Sequence, residues 1–138
     1  MPLEFPDDLR QLVIERADNR CEYCLLPQVA AFHKHEPDHI ISFQHGGETI
    51  ESNLALACMR CNRYKGPNIG SIDPLTGKLV LFFNPRIQHW ADHFEFEGAM
   101  IRPRTPEARV TVKILRLNDD DRLLERVRLL ETGFYDFI

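Results

Sequence analysis

Apolar positions along the chain change period several times, and each change predicts an element. Over residues 6–19, Leu9, Leu12, Val13 and Ala17 recur at helical spacing. Pro6 near the start and Asp7 and Asp8 at the positive end support a helix there, with Asn19 as its terminator. Residues 27–30 read as loop. Residues 31–42, rich in β-branched and aromatic side chains, read as a strand broken or ended near Pro37. His45-Gly46-Gly47 is a turn, and residues 50–56 form a short return segment with Leu54 and Leu56 alternating inward. A helix begins near Met59 and stops at Gly66-Pro67.

The second half alternates similarly. Residues 73–78 are a turn, 79–83 an apolar strand and 87–94 a short helical turn. Residues 94–97 and 99–102 bracket Gly98 as a hairpin. Thr105-Pro106 caps a helix reaching 117, and Asn118-Asp119 caps a last helix to about 131. The apolar tail 133–138 docks on its own core or on a partner. With no repeat, low-complexity run or linker, the chain reads as a single α+β domain, residues 1–138. Its core spans 20–67 and its C-terminal strand-and-helix extension 68–138.

Composition adds limits. At 138 residues, 43% of them hydrophobic, the chain is long enough for a real core. No apolar run approaches the ~20 residues of a membrane helix, so no membrane partner is expected. The first residues lack the basic-then-apolar pattern of a signal peptide, which predicts a reducing, cytoplasmic setting with free thiols. A net charge of −4 does not by itself advertise a nucleic-acid binder. From Met59 to Arg104, however, seven basic residues face four acidic ones, a locally basic stretch able to meet phosphate.

All four cysteines fall into two pairs, Cys21-x-x-Cys24 and Cys58-x-x-Cys61. Two such knuckles complete a tetrahedral Zn2+ site with sulfur at ~2.3 Å. Two disulfides would need an oxidising compartment, and a redox pair would leave the second CxxC unexplained. Four thiolates leave no open position, so this zinc is expected to be structural.

The 33 residues between the pairs contain Asp38-His39-Ile40-Ile41, Gly46-Gly47 and Asn53-Leu54, followed by Cys61-Asn62-Arg63-Tyr64-Lys65-Gly66. Cleaving a phosphodiester needs a base for water and a hard cation to neutralise charge, and His39, Asp38 and Asn62 are residues of those types. In this order and spacing, residues 21–66 resemble the HNH endonucleases, also called ββα-metal or His-Me finger nucleases, in their zinc-containing subclass. The run Asn84-Pro85-Arg86, Trp90 and His93-Phe94 is similar, less specifically, to a tail on some bacterial stand-alone members.

The resemblance implies a ββα-metal core stapled by the four-cysteine zinc, with a metal-dependent endonuclease activity on DNA. His39 would be the general base. Asp38 and Asn62 would hold one catalytic Mg2+ or Mn2+, and Asn53 would brace the loop that aims His39. Adjacent strand residues face opposite ways, so Asp38 and His39 share a site only if the strand ends or distorts there, which Pro37 suits.

Lys34, His35, Arg60, Arg63 and Lys65 are candidates for nucleic-acid contact. His33 and His35 share a strand face as a metal pair might but read as solvated or phosphate-touching, while His89 and His93 are spaced for one helix face and, with no third ligand evident, read as core or surface packing. The competing function is a non-catalytic zinc-ribbon module that binds nucleic acid or protein. DNA against RNA, and monomer against homodimer, stay open at this level.

Overall fold

The computed structural model describes residues 5–133 and Tyr135. The other tail residues, 134 and 136–138, lie outside the described residues. Helix α1 (Asp7–Arg16) opens the fold with Asp7 and Asp8 in its first turn. It places Val13 against Leu54 and Leu56, with Phe5, Leu9, Ile14 and Ala17 around them. The chain then turns through the first cysteine pair and a short 3-10 turn at Gln28–Ala30.

Strand β1 spans only Glu36–His39, shorter than the residues 31–42 expected. The Gln28 side chain explains the late start. Its Nε2 donates to His33 O at 3.1 Å and its Oε1 accepts from His35 N at 2.7 Å, capturing backbone groups a strand would use. Pro37 also corrects the expectation of a break, because it pairs within the strand, opposite Leu56. Leu56 turns away from β1 here: its N–H donates to Glu22 Oε2 at 2.8 Å and its carbonyl accepts from Glu22 N at 2.8 Å. Position 37 therefore faces away from the ladder, where a missing N–H costs no rung.

Strand β2 (Leu54–Ala57) pairs antiparallel with β1 and is buried at all four positions. Strict alternation fails because both faces are covered. Leu54 and Leu56 meet α1, while Ala55 and Ala57 join the main core with the cysteines. Cys58 then caps α2 (Met59–Lys65), its sulfur accepting from Cys61 N at 3.5 Å. Gly66, at φ 52°, ends the helix.

The extension adds a strand that the apolar pattern did not mark. β3 (Gly70–Ile72) pairs with β4 (Leu79–Leu81). Gly70 is required there, since a Cβ would lie 2.4 Å from Val80 O. Then come α3 (Trp90–His93), the β5 (Phe94–Glu97) and β6 (Met100–Pro103) hairpin, α4 (Pro106–Leu115) and α5 (Asp120–Thr132). Thr105 caps α4 by accepting from Ala108 N. Among the described residues no helix is long and apolar enough to cross a membrane.

One buried cluster runs from the cysteines through Phe82, Phe83, Phe94 and Ile101 to Leu115 and Leu117, so knuckles and extension share a core. The Asn84–Phe94 run staples them together. Arg86 pairs with Glu22, and Trp90 Nε1 donates to Tyr23 O at 2.9 Å while stacking on Phe94 at 5.0 Å. Tyr135, the described part of the tail, donates its hydroxyl to Cys24 O.

Candidate functional site

The four sulfurs lie within 4.8 Å of one another and are buried. Cys24 Sγ and Cys58 Sγ, one from each knuckle, stand 3.7 Å apart. A tetrahedron with Zn–S of ~2.3 Å has sulfur separations of about 3.8 Å, so the donor set fits one zinc ion. Cys24 N and Cys61 N each point at the first sulfur of their own knuckle, at 3.5 Å. A zinc with four thiolates is a buried dianion, and Arg122 faces it: Nη2 lies 3.2 Å from Cys61 Sγ and 3.8 Å from Cys58 Sγ. Arg122, 61 residues beyond Cys61, carries no motif that would assign it to this centre in advance.

One turn along α2 from Cys61, Lys65 is 1% exposed. Its Nζ lies 3.0 Å from Asp38 Oδ2 and donates to His39 O at 2.7 Å. Lys65 follows Cys61 by one turn of helix, so the zinc knuckle also fixes where this ammonium meets β1. Asp38 and His39 keep the regular strand alternation: the carboxylate goes to Lys65, and the imidazole Nε2 shares a 2.8 Å hydrogen bond with Thr49 Oγ1. The Phe5 ring flanks His39 at 5.8 Å. Burial lowers the His39 pKa, with the Asp38 charge opposing the drop and Lys65 adding to it, which favours the neutral ring. Burial raises the Asp38 pKa, opposed by Lys65.

Asn53 ties the loop between β1 and β2 to itself. Its Nδ2 donates to Ile41 O at 3.0 Å and Glu48 O at 2.9 Å, and its Oδ1 accepts from Ile41 N at 2.8 Å. Gly47 passes so close that a Cβ would sit 1.7 Å from Ile41 O. This loop delivers Thr49 to His39. Replacing Asn53 with Ala strands three backbone groups, and a loss of about 2–4 kcal/mol is expected in chemical denaturation. A loss below about 0.5 kcal/mol would show that the loop holds without it.

Asn62 stands half-buried on α2, one turn before Lys65, so the two share a side of the helix. Lys65 thus joins the Asp38 carboxylate to the His39 backbone, with Asn62 one turn earlier on α2, but the strand does not distort at Pro37 as expected: the Asp38 side chain turns to Lys65 and the His39 imidazole to Thr49, on opposite faces of β1. The phosphate-contact candidates divide. Lys34 and Arg63 are exposed, and Arg60 is half-buried with Asp121 at 3.4 Å. His35 and Lys65 are buried and engaged inside the fold, so their side chains are not on a surface offered to phosphate. His35 Nε2 donates to Leu26 O at 2.8 Å. Of the remaining histidines, His93 Nδ1 bonds Thr105 Oγ1 at 2.6 Å, and His33, His45 and His89 are exposed.

Two comparisons with known proteins bear on this arrangement. The Septu protein PtuB of Bacillus thuringiensis is 23% identical over 126 residues, a match covering 90% of this chain. The chain spans 46% of the length of that relative. No solved structure matches. The family model of the HNH endonucleases matches residues 21–68, which hold both knuckles, Asp38, His39, Asn53 and Asn62. The matched stretch, about a third of the chain, is similar to the HNH endonucleases, a family of nuclease-type function.

Proposed function

We propose that this chain is a metal-dependent endonuclease that hydrolyses phosphodiester bonds of DNA, with His39 as general base. The observation that carries the reading is His39 itself. It is held by Thr49 on one side and by Lys65 through its own carbonyl on the other, in a segment that matches a nuclease family.

A neutral imidazole fixed at one nitrogen can take a proton from water at the other. Asp38 offers a buried carboxylate whose Oδ2 has an ion-pair contact but no aligned hydrogen bond. Asp38 and the Asn62 amide, one turn before Lys65 on α2, would be the oxygen donors that hold a catalytic cation, and oxygen donors suit Mg2+ or Mn2+ better than zinc. When bound, such a cation supplies neutralising charge for the phosphate and the departing oxygen. Lys34 and Arg63 are exposed cations available to the flanking phosphates.

Purified zinc-loaded protein should nick or linearise plasmid DNA when Mg2+ or Mn2+ is added, and leave it intact without them. Binding with no cleavage across a series of divalent cations would instead establish the rival reading, a zinc-ribbon module that grips without cutting.

A further inference from the structure

A cavity of about 290 Å3 lies beside this centre and takes no part in the chemistry above. Its walls are mainly apolar, from Ile40 and Ile41 after β1, Val80 and Phe82 of the extension, and Ile87. The mouth is apolar too: Ile87 is 79% exposed and Leu81 58%. Lys65 lines it, and the same ammonium touches Asp38 and the His39 carbonyl. A guest in this cavity would sit against the residue that joins the two proposed catalytic groups.

Several polar groups there lack partners. Tyr23 is fully buried, yet its hydroxyl bonds to nothing among the described residues. A buried hydroxyl without a partner is costly, so an occupant that satisfies it is favoured. Asn84 and Gln88 also line the space. Asn84 Oδ1 accepts from Arg86 N at 2.9 Å, and Gln88 Oε1 accepts from Asn84 N at 2.8 Å. Both amide oxygens are therefore committed to the backbone, and both –NH2 groups remain for a guest. Glu107 of α4, a residue with acceptor oxygens, lines the space as well.

We propose that this cavity receives a nucleobase turned out of the nucleic-acid stack, a reading that rests on the nuclease function above. A base has flat apolar faces for the isoleucine and phenylalanine walls and a hydrogen-bonding edge for amide, carboxylate and hydroxyl groups. The apolar walls disfavour a phosphate, and Lys65, the cation in the lining, is already engaged by Asp38 and the His39 carbonyl. A purely apolar guest would leave Tyr23 unsatisfied. Occupancy would select the nucleotide beside the cut, favouring sites where a base is unpaired or easily unstacked.

The test uses zinc-loaded protein carrying His39→Ala, without added divalent cation, and two DNA duplexes. One has a single extrahelical 2-aminopurine, the other an abasic residue at the same place. The base-bearing duplex should bind about tenfold tighter, with a change in 2-aminopurine emission. Adding Tyr23→Phe or Gln88→Ala should bring the ratio close to one. Tyr23→Phe should keep the thermal midpoint or raise it, since it deletes an unpartnered group. Equal affinity for the two duplexes, no binding of either, or a ratio untouched by both substitutions would overturn the assignment. Equal affinity would leave the cavity to another guest, such as a side chain of a partner protein. Cleavage by the wild type reports separately, so the base pocket can fail while the nuclease reading stands.

Discussion

His39→Ala should lower plasmid cleavage by about 10²–10⁴-fold, the usual contribution of a positioned general base. The fold should survive, because the imidazole sits at the rim of the structure with Thr49 and the Phe5 ring as its neighbours. Its carbonyl, which Lys65 holds, remains in the variant. Zinc content and the denaturation midpoint should therefore match the wild type while activity falls, which separates a chemical role from a structural one.

The pH profile gives a second reading of the same residue. Burial depresses the His39 pKa, so the ring stays unprotonated to lower pH than a free imidazole. The acid limb of kcat/KM should accordingly lie below the ordinary imidazole range, with activity lost as pH falls through it. Undiminished cleavage by His39→Ala would remove the residue from this role and move the search for a base elsewhere in the segment.

How much of this was legible in the sequence depended on whether a residue's partner was local. The cysteine knuckles are local by construction, so CxxC spacing marked them, and Gly66 and Thr105 announced helix ends for the same reason. Strand β1 was misjudged at both its start and its middle. The long amide of Gln28 reaches seven residues ahead to His35, and the ladder phase that spares Pro37 depends on Glu22 engaging Leu56. β2 read as alternating because nothing local says that α1 covers its second face. Lys65 looked like one more surface cation after Arg60 and Arg63. Only its one-turn offset from Cys61, toward β1, marked it for burial against Asp38. Helix α5 is the hardest case: its buried residues are Arg122 and Arg126, the inverse of an apolar stripe. Arg122 faces the thiolates, while Arg126 bonds Ala99 O and Asn118 Oδ1, contacts that no periodicity carries.

Removal of zinc should cost the whole fold and not merely one corner of it. A structural site of this donor type contributes roughly 10–16 kcal/mol, comparable with or above the 5–15 kcal/mol net stability of a domain. Here the loss spreads through named contacts. Without the ion, four buried thiols lose their common partner, and Arg122 is left as a buried cation facing neutral sulfur. Cys61 no longer anchors α2, so Lys65 cannot be held against Asp38 and His39, and the proposed catalytic centre comes apart with the knuckles. Chelator-treated protein, or Cys61→Ser, should show no cooperative thermal transition. Zinc should restore the transition in the wild type but not in the variant. A zinc-free wild type that melts at an unchanged midpoint would mean that the core from Phe82 to Leu117 holds the cysteines together unaided. Activity should then survive chelation followed by readdition of Mg2+ alone.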